Sequence, residues 1–170
     1  MIPLMLIVLG PQIGDLFIVQ LALGTLTYGE LYSIKNAGPY TLASEYLVSK
    51  GALVDQQDKS GRTSLHWAAI GGFAVVVKYL LNNGCDIMAQ TTSKMSALHG
   101  ACEAGKVEVV RELLAFVASD EEKRTALTNL KNQDDKTAFD IAVAAKQQAV
   151  CQALKDGGDA NAASGACVIS

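Results

Sequence analysis

The chain has 170 residues, half of them apolar, with 14 basic and 17 acidic side chains for a net charge of −3. This is one domain's length with apolar content enough for a core, which excludes wholesale disorder. An acidic balance with no Lys/Arg run also excludes a phosphate-tracking surface, because nucleic-acid binding is driven by clustered positive charge.

The mean hydropathy of +0.24 has a local cause in residues 1–28, which hold 18 apolar side chains and one charge, Asp15. A secretory signal begins with a basic segment, whereas the first basic residue here is Lys35. A membrane span wants about 20 uninterrupted apolar residues, and Gly10-Pro11-Gln12-Ile13-Gly14-Asp15 divides this stretch in two. Residues 1–28 therefore stand as a cap on the following domain, a membrane-associated segment, a start that does not belong to the natural protein, or a signal peptide.

A repeat organises the rest of the chain. Gly61-Arg62-Thr63-Ser64-Leu65-His66-Trp67-Ala68-Ala69 is answered 33 positions later by Lys94-Met95-Ser96-Ala97-Leu98-His99-Gly100-Ala101-Cys102, and Val76-Val77-Lys78-Tyr79-Leu80-Leu81 by Val109-Val110-Arg111-Glu112-Leu113-Leu114. A third copy, Thr137-Ala138-Phe139-Asp140-Ile141-Ala142, comes 41 positions after the second. The extra residues lie around 118–130, where Ser119-Asp120-Glu121-Glu122 has capping-box spacing and predicts an inserted helix. A half copy at Tyr46-Leu47-Val48-Ser49-Lys50-Gly51 precedes them all. Leu65, Ala68, Ala69, Val76, Leu80 and Leu81 fall at helical spacing, so each helix pair offers an apolar face that only a neighbouring copy can cover. Gly51, Gly84 and Gly158 follow apolar helical stretches as left-handed caps. Lys106, Glu108, Lys136 and Asp140 are expected on the wet side.

The period and the Thr-x-Leu-His-x-Ala signature resemble the ankyrin repeat, a β-turn followed by two antiparallel helices. Ser64 and Ala97 stand where that family usually has proline, and Ser96 replaces threonine. The resemblance implies an all-α ankyrin solenoid of about three to four repeats including degenerate caps. Its expected divisions are 1–28, a degenerate repeat at 29–57, repeats at 58–90 and 91–131, a capping repeat at 132–160, and a flexible tail at 161–170.

The only histidines, His66 and His99, hold equivalent positions without the Cys/His cluster that a metal needs. By the resemblance, His66 bonds with Thr63 and nearby backbone, and His99 with Ser96, tying adjacent turns together. No Gly-x-Ser-x-Gly elbow, phosphate loop, Cys/His pair or zinc-protease helix is present, so neither catalysis nor a metal or cofactor is expected.

The resemblance places protein binding on the turn tips and the exposed side of each first helix. That surface comprises Lys59, Ser60, Arg62, Trp67, Ile70 and Gly71 in one copy. The next copy supplies Thr92, Ser93, Met95, Gly100, Glu103 and Ala104, and the third Gln133, Asp134, Lys136, Ala144 and Ala145. Exposed Trp and Arg are favoured contact residues. Trp67, flanked by Arg62 and Ile70, is therefore a contact centre or, equally, a ring packed against the turns.

Cys85, Cys102, Cys151 and Cys167 form no Cys-x-x-Cys pair, as expected of reduced intracellular thiols. Cys167-Val168-Ile169-Ser170 fits the C-a-a-X pattern, with serine favouring farnesyl. Its partners would be a protein prenyltransferase and, through the lipid, the cytosolic face of a membrane. One chain holds only weakly, and Lys155 is offset by Asp156 and Asp159, so no basic patch assists. The expected function is a membrane-tethered protein-interaction module. A lipid-free cytosolic adaptor, or a regulatory segment of a larger enzyme or transporter, is the alternative.

Overall fold

The structure, a computed structural model, describes residues 48–49, 51–159 and 161–162. Residues 1–28, Tyr46, Leu47 and Lys50 of the half copy, and the Cys167 motif lie outside the described residues. Among the described residues the chain forms seven α-helices and no strand: α1 Ser64–Gly71, α2 Ala74–Asn82, α3 Ala97–Glu103, α4 Val107–Phe116, α5 Glu121–Asn129, α6 Ala138–Ala144 and α7 Gln148–Asp156. The fold is an all-α solenoid of stacked helix pairs.

Two rows result from the stacking. α1 packs on α3 and α3 on α6, forming an inner row, while α2 packs on α4 and α4 on α7, forming an outer row. The inner row is crowded, and small residues make the room. Ala68, Ala69, Ala97, Ala101, Ala138 and Ala142 are all buried, and a Cβ on Gly100 would lie 2.8 Å from Ile70 Cγ1. Larger apolar side chains fill the space between rows at repeating positions. Leu65 and Leu98 have no exposure, nor do Leu80, Leu113 and Leu154, and Phe139 completes the first set in the third pair. Each fully buried leucine contributes about 1.5–3 kcal/mol.

Before each inner helix the chain makes a tight finger. Asp58 N–H donates to Arg62 O at 2.9 Å, Thr91 N–H to Met95 O at 2.9 Å and Asn132 N–H to Lys136 O at 3.0 Å. A side-chain oxygen of the first residue closes each loop again. Asp58 Oδ1 accepts from the amides of Ser60 and Arg62, Thr91 Oγ1 from Met95, and Asn132 Oδ1 from Asp134 and Lys136. Successive fingers are joined by one backbone bond apiece, Thr92 N–H to Ser60 O at 3.0 Å and Gln133 N–H to Ser93 O at 3.1 Å.

Several sequence expectations need correction. The inserted helix α5 is capped by Asp120, whose carboxylate accepts from Lys123 N at 3.0 Å; the cap is not Ser119. A carboxylate there also meets the positive end of the helix dipole. Asp140 is exposed, as expected of a wet-side charge, and it also takes the place of His66 and His99 in the third pair. Its Oδ2 lies 2.8 Å from both the Thr137 amide and hydroxyl and caps α6. The tail does not begin at 161: Asn161 and Ala162 are helical, and Ala162 is fully buried. Asn161 Nδ2 donates to Asn129 Oδ1 at 2.8 Å, docking this segment on α5. Asp159 is buried too, with Oδ1 accepting from Asn161 N at 2.8 Å and Oδ2 without a hydrogen bond among the described residues. Ala52 and Cys85 fill the same register in earlier pairs, so a small apolar slot here holds a carboxyl, and burial raises its pKa.

The turn between inner and outer helix shows why a last copy can differ. Gly72 and Gly105 adopt left-handed φ of 85° and 69°, and Lys146 occupies the same conformation at 56°. A Cβ on Gly72 would lie 2.9 Å from Lys106, and one on Gly105 2.6 Å from Gln147, each a side chain of the next copy. Among the described residues no further copy crowds Lys146, so its Cβ fits although its backbone is strained. Lys146→Gly should therefore raise stability by about 0.5 kcal/mol, the relief being partly offset by added chain entropy in the unfolded state. An unchanged or lower urea midpoint would contradict this.

Candidate functional site

The capping residues of the inner helices do two jobs. In α1 the Thr63 amide donates to His66 Nδ1 at 3.1 Å and the Thr63 hydroxyl lies 2.9 Å from the same nitrogen. An amide can only donate, so Nδ1 is the unprotonated acceptor and Nε2 carries the proton. Nε2 then donates to Met95 O in the next finger at 3.0 Å. The arrangement recurs at α3: the Ser96 amide and hydroxyl lie 3.2 Å and 2.7 Å from His99 Nδ1, and His99 Nε2 reaches Lys136 O at 3.2 Å. Burial lowers the pKa of both imidazoles, which favours the neutral tautomer that these bonds require.

With these framework bonds made, the fingers and the inner helices expose a continuous face. Lys59 and Ser60 are exposed at the first fingertip, and Ile70 is 37% exposed on α1. Between them lies Trp67, half-buried, whose indole N–H donates to Asp58 Oδ2 at 3.3 Å. The Arg62 guanidinium stands 4.8 Å above its ring. Trp67 is thus pinned to the finger by one edge and one face, with part of its surface left toward solvent. Asp58, which orients it while holding the finger closed, carries no recognisable motif and escapes a sequence reading.

Farther along, a cleft of about 400 Å³ opens between the second and third fingers. Met95 and Glu103 line it from one side and Asn132, Asp134 and Lys136 from the other, with Ile141 and Ala144 of α6 and the following Ala145 along the floor. Met95, Glu103 and Lys136 therefore come together, whereas Lys59, Ser60, Arg62, Trp67 and Ile70 form a separate group around the first finger. Ala104 is half-buried at the end of α3. Cys85, Cys102 and Cys151 are buried, and none of them is in a disulfide among the described residues. Burial pushes the pKa of Cys85 up to about 12 and raises that of Cys102, so neither is a ready nucleophile.

The sequence matches the family model for ankyrin repeats (3 copies) over residues 31–91 and 74–164. The chain belongs to the ankyrin-repeat family. No curated protein matches it. Ankyrin repeats make the chain a protein-protein interaction module, on a fold that is typically non-catalytic. In this ankyrin array the Thr63–His66 and Ser96–His99 pairs are spent on stacking. The finger and inner-helix face carries exposed side chains that take no part in that stacking, among them Lys59, Ser60 and Ile70.

Proposed function

We propose that the ankyrin array docks a partner protein on the face formed by its fingers and inner helices, with Trp67, Arg62 and Ile70 as one contact centre. The observation that carries this reading is the combination of a positioned aromatic and an exposed Ile70 beside an open cleft, on a face whose backbone groups are already paired. Pre-set aromatic and Arg side chains lose little freedom on binding, which is why they dominate interface energetics. Trp67→Ala should weaken partner affinity by more than about 1 kcal/mol while leaving the helical circular dichroism in place. Loss of the fold would make the ring structural and remove it from the contact centre.

The reading includes a tether at Cys167, which lies outside the described residues, as do 1–28. Its support is the Cys167-Val-Ile-Ser170 motif, together with the burial of the other three thiols. A single lipid chain gives only marginal membrane binding, about 10⁴ per molar for a myristoyl group, so attachment to the cytosolic face is partial and reversible unless residues 1–28 add a second contact. Intact-mass measurement of protein made in a prenylating cell should show the added isoprenoid, and Cys167→Ser should lose it. An unmodified wild-type mass would remove the tether.

A further inference from the structure

We infer that the cleft between the second and third fingers takes a basic side chain, arginine or lysine, from an extended segment of the partner; this rests on the proposed docking face. Three observations carry it. First, the walls hold the carboxylates of Glu103 and Asp134, neither of which is in an ion pair among the described residues, against one ammonium, Lys136. The cleft is therefore net acidic, while its Met95 and Ile141 surfaces suit the aliphatic stem of a long cationic side chain.

Second, Glu103 is misplaced for stability. It ends α3, where the negative pole of the helix dipole disfavours a carboxylate. The equivalent positions in the neighbouring copies are Ile70 and Ala144. A charge that costs stability and is in no ion pair among the described residues is suited to a partner outside the array.

Third, the opposite end of the same face has the opposite sign. Lys59 and Arg62 stand at the first finger, and the Asp58 carboxylate beside them is engaged by the amides of Ser60 and Arg62 and by the Trp67 indole. A partner segment would accordingly lie with its basic anchor at the third finger and its acidic or aromatic-seeking portion toward the first.

The test titrates the full chain, labelled with ¹⁵N, with the capped hexapeptide acetyl-Ala-Leu-Ala-Arg-Ala-Leu-amide and with the same peptide carrying citrulline for arginine. Citrulline keeps the shape and removes the charge. The arginine peptide should bind about fivefold more tightly, the range of one exposed ion pair, with shifts centred on Met95, Glu103 and Asp134. Glu103→Gln and Asp134→Asn should each erase most of that preference, and Lys136→Gln should enlarge it. All three side chains are exposed, so none of these variants should lower the melting temperature, and Glu103→Gln should raise it slightly. Equal affinity for the two peptides, no binding of either, or a preference unchanged in both acid variants would overturn the inference. Photo-crosslinking from position 59 is scored separately. An adduct there without an arginine preference overturns the basic-anchor inference and leaves the docking face intact, whereas no adduct removes the face.

Discussion

Leu98→Ala should lower the stability of the array by about 2–5 kcal/mol, the range for truncating a buried leucine. Leu98 has no exposure and belongs to α3, which packs on α1 on one side and α6 on the other. A cavity there weakens both stacking interfaces at once. Stability in such arrays is close to a sum of repeat and nearest-neighbour terms, and folded domains hold only about 5–15 kcal/mol in all. Urea unfolding followed by circular dichroism should show a large fall in midpoint. An unchanged midpoint would contradict the stacked architecture around α3.

His99→Ala should be the other severe variant. It leaves the buried Ser96 amide without its acceptor and the Lys136 carbonyl without the imidazole donor that spans two fingers. The orphaned Ser96 amide costs about 1–3 kcal/mol, while the Lys136 carbonyl keeps its bond from the Asn132 amide and loses only the tie between fingers. His99→Asp separates the two duties, because aspartate caps α6 from Thr137 through Asp140 in the last copy and has no reach to a further finger. It should cost less than alanine and more than nothing. Acid should mimic the loss. Both histidine pKa values lie below 6.5 in the folded chain and near that value when unfolded. Their stabilising contribution is therefore complete above pH 6.5 and declines as pH falls from 6.5 toward the folded pKa values. NMR titration showing either imidazole protonating at or above 6.5 would contradict the assigned tautomer.

What could be read from the sequence was whatever repeats as a residue type. Leu65 with Leu98, His66 with His99 and the 33-residue spacing declare the architecture without coordinates, and they also mark the finger and inner-helix face, since its positions recur in the same register. What could not be read was whatever repeats as a function performed by different residues. The finger is closed by Asp58, Thr91 and Asn132 in turn, because the loop requires a side-chain acceptor and nothing more specific. Asp140 likewise caps where histidine does in the other copies, and a lone aspartate on a helix looks like solvated charge. The burial of Asp159 and Ala162 was opaque because the small polar composition around them is that of a tail, while Asn161 docks on α5, an insertion with no counterpart in the other copies. Trp67 was half legible: its place beside the finger follows from the register, but its bond to Asp58 does not.

In the docking mode proposed above, the binding surface lies on one side only of the fixed ankyrin framework. That one-sidedness is tested most directly by placing the photo-crosslinking residue p-benzoylphenylalanine at position 59 or position 75 of the full chain in its native cell. Lys59 is exposed at the first fingertip, and Val75 is 67% exposed on α2 of the outer row, so the two sites differ in side and not in access. A discrete higher-mass adduct from position 59, absent from position 75 and reduced by Trp67→Ala, is the predicted result. An adduct from position 75 with none from position 59 would contradict it.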